Sequence, residues 1–123
     1  MSLPPVSVLI VDDDPDICET FKDVLEDAGF SVVCAHDGRE GLAALAKVRP
    51  SLILLDVNMP NMDGYEFLEA QRADPSLRGI ATVVMTAGHL DLTLPQGSFV
   101  AKPISLRQLL ALVSRYCASA HDP

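Results

Sequence analysis

Four short apolar runs in this 123-residue chain each end on residues able to do polar chemistry. VSVLIV at 6–11 runs into Asp12, Asp13 and Asp14. SLILL at 51–55 runs into Asp56, followed by Val57, Asn58, Met59 and Pro60. ATVVM at 81–85 leads to Thr86, Ala87 and Gly88, and the short run Phe99–Ala101 leads to Lys102 and Pro103. If these runs are parallel strands of one sheet, their carboxyl ends share a rim, and ligands of open α/β sheets bind beyond that rim. Three carboxylates (Asp12, Asp13, Asp56), a hydroxyl and an ammonium would then converge. Carboxylates at close range repel, so keeping all of them ionised calls for a cation. A hard divalent ion with oxygen ligands fits, and Mg²⁺ takes one or two carboxylates while keeping several waters. Such an ion recruits phosphoryl oxygens. Lys102 would add positive charge there, and Thr86 a hydrogen-bond donor. A carboxylate in that setting can itself be the nucleophile and form an aspartyl phosphate. Phosphoryl transfer asks mainly for positioning and charge neutralisation, which this set supplies.

The elements between the runs are consistent with that sheet. The apolar runs are rich in β-branched residues and show no polar alternation, the signature of strands buried on both faces. Ser31–Ala35 reads as a further strand. Asp14-Pro15 suits a helix start, with Asp14 as cap and Pro15 at the first position. Ile17, Phe21, Val24, Leu25 and Ala28 then form one helical face, which Gly29 ends. Asp37 with Glu40, and Ser105 with Gln108, have the spacing of capping boxes, and Asp63 with Glu66 marks a third helix start. Leu42, Leu45 and Ala46 follow the second of these starts in the chain. Tyr65, Phe67, Leu68 and Ala70 follow the third, and Leu106, Leu109, Leu110 and Val113 stripe the last helix. Strand–helix alternation with short connections predicts an α/β, doubly wound parallel sheet with helices on both faces. One domain is expected, with a core over about 6–117 and tails at 1–5 and 118–123 that fray.

Charge and composition exclude other classes. The net charge is −8, and residues 1–37 hold nine acids against one base. An acidic chain with no Lys/Arg run lacks the electrostatic footprint of a nucleic-acid or anionic-lipid binder. No apolar run approaches the roughly 20 residues of a membrane span, and the N-terminus lacks the basic region of a signal peptide. Three scattered cysteines (Cys18, Cys34, Cys117) suit free thiols used as fillers in a reducing cytoplasm. Asp12-x-Asp14-x-Asp16 starts like a calcium loop, but Ile17 and Asp23 stand where such a loop needs Gly and Glu.

VLIVDDDPDI at 8–17, LLDVNMPNMDG at 54–64, VVMTAG at 83–88 and VAKPIS at 100–105 together resemble the receiver domains of two-component response regulators. That resemblance covers nearly the whole chain and implies a five-stranded, flavodoxin-like sheet in the order 2-1-3-4-5. It implies a cytoplasmic domain that accepts a phosphoryl group on Asp56 from a sensor histidine kinase or phosphotransfer protein. Such a domain is not an enzyme beyond its own phosphorylation and autodephosphorylation. In the same way, Asp13, Asp56 and the backbone carbonyl of Asn58 would hold Mg²⁺, with Asp12 acting through a metal-bound water. Thr86 and Lys102 would bond phosphoryl oxygens. The small Ala87 would leave room beside the phosphate, and Phe99 would turn inward as Thr86 moves. The bond from Lys102 to Pro103 would be cis. Further partners would be a second copy of the chain or a linked domain in a longer protein, with no nucleic acid or membrane.

One stretch departs from the family. AGHLDLTLPQGSFVA at 87–101 carries Pro95 and Gly97 and no helical apolar face, so the family's fourth helix is expected to be short or absent. Two alternatives stay open on sequence. One is a receiver fold serving as an interaction module without phosphorylation. The other is a haloacid-dehalogenase-type phosphatase, against which Asn58 stands where a second acid is needed.

Overall fold

Strands with no polar face must be covered on both sides. The computed structural model, which describes residues 3–57, 64–86 and 99–117, shows how that is met. Its elements run β1 (Pro5–Val11), α1 (Pro15–Asp27), β2 (Val32–Ala35), α2 (Gly38–Leu45), β3 (Arg49–Asp56), α3 (Gly64–Ala73), β4 (Ala81–Thr86), β5 (Phe99–Ala101) and α4 (Leu106–Tyr116). All strand pairs are parallel, in the order β2-β1-β3-β4-β5. This is the doubly wound sheet expected from the sequence. Strand ends differ slightly from expectation, because backbone pairing sets them and not hydropathy. Thus β1 and β3 begin as a register pair, Pro5 with Arg49, and the Arg49 N–H donates to the Pro4 carbonyl at 2.9 Å.

Successive strand residues serve opposite layers. Val8 and Ile10, Leu52 and Leu54, and Val83 and Met85 pack with residues of α1 and α4, among them Leu25 and Leu109. Leu9 and Val11, Ile53 and Leu55, and Val84 pack with Leu45 of α2 and Phe67 of α3. Burying each such side chain contributes about 1.5–3 kcal/mol relative to exposure. That reserve holds an unfavourable group of charges at the end of the sheet.

Local bonds set the helix limits. The Asp14 side chain caps α1 by accepting from the N–H groups of Asp16 and Ile17, with Pro15 leading the helix. At the other end Gly29 takes φ 97°. Its N–H bonds the Glu26 carbonyl, and that of Phe30 bonds the Leu25 carbonyl, a left-handed ending that favours glycine. Ser105 and Gln108 form the expected reciprocal capping box of α4. At α2, Asp37 accepts from the Glu40 N–H at 2.8 Å, and the Glu40 carboxylate accepts from the N–H of His36 at 2.9 Å. Asp63, the stretch 87–98 with its expected loss of a helix, and the tail 118–123 lie outside the described residues.

Two further contacts seat α3. The buried Gln71 amide donates to the carbonyls of Leu77 and Ile80, each at 3.0 Å, and accepts from the Thr82 hydroxyl at 3.0 Å. At the helix start, the Gly64 N–H donates to the Val57 carbonyl at 3.2 Å. A Cβ at position 64 would collide with Val57 Cα and stand 2.9 Å from the Asp56 carbonyl oxygen. Helix α3 therefore rests on the backbone that carries Asp56. Gly64→Ala is expected to cost about 1–3 kcal/mol, as overpacking does. Gly79→Ala, with open space around its Cβ, should stay within about 0.5 kcal/mol of the native chain. Urea unfolding measures both, and equal losses would contradict the close approach at Gly64.

Candidate functional site

Backbone bonds bring the strand ends to one level. The Asp12 N–H donates to the Ala35 carbonyl at 3.0 Å, that of Val57 to Met85 at 3.4 Å, and that of Lys102 to Thr86 at 2.8 Å. On this rim, Lys102 Nζ lies 3.0 Å from Asp56 Oδ2 and 3.9 Å from Asp12 Oδ2. Both carboxylate side chains are 2% exposed, and that of Lys102 is 29% exposed. Pairs in solvent are screened to little net value. A buried pair keeps its attraction but must offset a large desolvation cost, so removing one partner is strongly destabilising. The peptide bond from Lys102 to Pro103 is cis.

Asp12 carries the strain of the arrangement. Its Oδ1 accepts from the Asp14 N–H at 2.9 Å. Among the described residues its Oδ2 is buried with no hydrogen-bond partner, since Lys102 at 3.9 Å reaches it only through charge. Burial pushes the Asp12 carboxyl above the usual carboxylate range. The Asp14 N–H and Lys102 oppose that rise, while Asp56 and Asp13 add to it. Asp13 is exposed beside them. One carboxylate oxygen from each of Asp12, Asp13 and Asp56 can be chosen so that all three lie within 4.8 Å of one another. Among the described residues this is the group fitted to a cation: its donors are all oxygens, and one is buried and lacks a hydrogen bond. That set suits a hard divalent ion. A cleft of about 310 Å³ opens over Asp12, Asp13 and Lys102, with Ile17, Phe21 and Met85 as its apolar lining. Apolar walls lower the local dielectric and strengthen the fields of the charges they surround.

The remaining expected residues divide in two. Thr86 is buried at the end of β4, opposite Ala101 in register. Phe99 is half-buried on β5, paired with Val84 and packed on the α2/α3 layer. Asn58 and Ala87 lie outside the described residues. Sequence reasoning missed Cys18, whose thiol donates to the Asp12 carbonyl at 3.7 Å. Its place on the inward side of α1, beside Ile17 and three residues before Phe21, was the available signal.

Comparison with known proteins agrees with this geometry. The response regulator receiver domain family matches residues 8–114. The chain is 36% identical over 112 residues to the DNA-binding response regulator MtrA of Mycolicibacterium smegmatis, covering 86% of this chain and 48% of MtrA. It is 30% identical over 122 residues to the polar-differentiation response regulator DivK of Brucella anthropi, covering 94% of this chain and 99% of DivK. The chain thus spans about half the length of one relative and nearly all of the other. Among solved structures, the signal receiver domain of a signal transduction histidine kinase from Syntrophus aciditrophicus superposes with a TM-score of 0.81 at 32% identity, covering 90% of this chain and 89% of that one.

The electrostatics of Asp12 set a stability test. A folded-state carboxyl raised above the ordinary 3.8 binds more protons than the unfolded chain does. Stability from this group therefore falls as pH rises from that value through the raised one. With Mg²⁺ chelated at neutral pH, Asp12→Asn should melt about 2–5 °C higher than the native chain. That difference should shrink as pH is lowered towards the ordinary range, and added Mg²⁺ should stabilise the native chain more than the variant. A variant that melts lower at neutral pH in chelator would contradict this reading. Scanning calorimetry across pH measures it.

Proposed function

The chain belongs to the response regulator receiver domain family of two-component signalling, and we propose that Asp56 is its phospho-acceptor. The donor is a phosphohistidine on a sensor histidine kinase or a phosphotransfer protein. The observation that carries this reading is the buried Asp56 carboxylate 3.0 Å from Lys102, grouped with the oxygens of Asp12 and Asp13.

An Asp56 oxygen attacks phosphorus, a P–O bond forms, and the P–N bond of the donor breaks with its electron pair leaving on the imidazole. Lys102 stands where it can pair with a phosphoryl oxygen as charge moves onto that group. The Thr86 hydroxyl, at the end of the neighbouring strand, donates to another, and Ala87 leaves room beside it. Asp13 and Asp56 with the Asn58 carbonyl, and Asp12 through water, would hold Mg²⁺, which when bound would supply positive charge to offset the acids and the phosphoryl oxygens. The site's chemistry is confined to gaining and hydrolysing its own acyl phosphate.

Phosphorylation places nearly two negative charges beside Lys102. The switch follows if two conformations lie within a few kcal/mol, so that these contacts shift the population. Phe99 sits diagonal to Thr86 across the β4–β5 register. That placement supports a relay in which Phe99 turns inward as Thr86 moves. Output passes to a second copy or to a linked domain, and the domain works in the cytoplasm. Among the described residues no helix is long and apolar enough to cross a membrane. The matched stretch carries no basic footprint, so DNA binding as named for MtrA is not assigned to it.

Incubation with Mg²⁺ and a small acyl-phosphate donor should give an intact-mass adduct of about 80 Da on the native chain and none on Asp56→Asn. Lys102→Met should slow labelling about 10- to 1,000-fold, as loss of a charge-stabilising group does. Equal labelling of Asp56→Asn would move the acceptor to another residue, and no adduct on the native chain would favour an unphosphorylated interaction module; either overturns the assignment.

A further inference from the structure

Cys18 of α1 and Cys34 of β2 meet across the helix–strand interface, a pairing that the phospho-acceptor site does not require. The Cys34 thiol donates to the Cys18 carbonyl at 3.5 Å. The Cys18 thiol donates in turn to the Asp12 carbonyl, at 3.7 Å. The Cys34 sulfur thus reaches the backbone of Cys18 on the neighbouring element, the close approach of two cysteines that a disulfide needs.

Their surroundings are unequal in the way a stepwise oxidation needs. Cys18 is 2% exposed. Cys34 is only half-buried and lies on β2, an edge strand of the sheet. The neighbouring Cys18 side chain lowers the Cys34 thiol's pKa; burial opposes this, and the charge of Lys22 assists it. Thiolate character and access both favour reaction at a cysteine. Cys117 provides a contrast within the same chain. It is buried towards the opposite end of the sheet, where its thiol donates to the Ser7 carbonyl at 3.2 Å, and burial raises its pKa.

We propose that Cys34 and Cys18 form a redox-active dithiol, oxidised by hydrogen peroxide to a disulfide that joins α1 to β2 beneath the acid rim. Cys34 sulfur attacks the peroxide, an S–O bond forms, the O–O bond breaks, and one water leaves with the Cys34 proton. Cys34 is then a sulfenic acid. Cys18 sulfur attacks it, the S–S bond forms, the S–O bond breaks, and the Cys18 proton leaves with the hydroxide as a second water. The sum is two thiols and one hydrogen peroxide giving one disulfide and two waters. A thiol reductant reverses it by exchange. Forming the bond withdraws the S–H donor from the Asp12 carbonyl. The assignment stands independently of phosphorylation at Asp56.

The test uses the whole chain, dilute hydrogen peroxide and no phosphodonor. The native chain should become about 2 Da lighter. Digestion should yield a peptide pair linked through Cys18 and Cys34 with Cys117 still open to alkylation, and dithiothreitol should restore the original mass. In Cys18→Ser, Cys34 should stop at a sulfenic acid that a dimedone-type probe captures, or advance to a sulfinic acid about 32 Da heavier. In Cys34→Ser, Cys18 should remain a thiol under the same treatment. Peptide mapping of the native chain decides the matter even if either variant fails to fold. First oxidation at Cys117, a link between two chains, or peroxide uptake without the 18–34 link would overturn the proposal.

Discussion

Everything at the carboxyl end of this sheet depends on one unfavourable fact: two carboxylates are buried there beside a third, with the Lys102 ammonium set against them. Lys102 pairs closely with Asp56 and only distantly with Asp12, whose second oxygen lacks a hydrogen bond among the described residues. Such a group is uphill unless something positive joins it. The two apolar layers on either side of the sheet, each continuous from strand to helix, provide the stability that tolerates it. The close seat of Gly64 on Val57 then fixes where the Asp56 backbone can be. A site that is strained alone is one that gains most from a cation and from a phosphoryl group held by Lys102. The same imbalance thus links folding energetics to the proposed function.

The acids outside that rim behave differently. Asp16, Glu19, Asp23, Glu26 and Asp27 all lie on α1 and are exposed. They are the solvated outer side of a helix whose inner side holds Phe21 and Leu25. Repulsion among charges in water is weak and screened by salt, so this surplus needs no counter-ion of its own. Of the nine acids in residues 1–37, only Asp12 and Asp13 stand in the cation-fitted group.

The doubly wound parallel sheet, helix caps at Asp14 and Ser105 and the convergence of Asp12, Asp13, Asp56 and Lys102 were legible from the sequence, because each leaves a local signature; the strand order was legible only through the family resemblance. Apolar runs announce strands, caps have fixed spacings, and strand ends of an open sheet share a rim. What escaped was non-local. Which alternate residues of VSVLIV face α1 and which face α2 cannot be told when both faces are apolar. The Gln71 bonds to Leu77, Ile80 and Thr82 join segments whose distance in space no spacing rule gives. The Glu40 carboxylate reaches the N–H of His36, one residue ahead of the cap, which the spacing alone does not give. Cys18 and Cys34 looked like fillers because their meeting depends on how α1 lies across β2. The expectations for Asn58, Ala87 and the stretch 87–98 concern residues outside those described.

The rim is fitted to a cation by its buried, under-compensated acids, and the larger acidic surface of α1 is not. Titration of the native chain with Mg²⁺, followed by backbone amide NMR, separates the two. Saturable shifts centred on Asp12, Asp13, Asp56 and Val57 are expected, at one ion per chain. Shifts confined to the acidic positions of α1 from Asp16 to Asp27, or no saturable change at the rim, would contradict a cation site there.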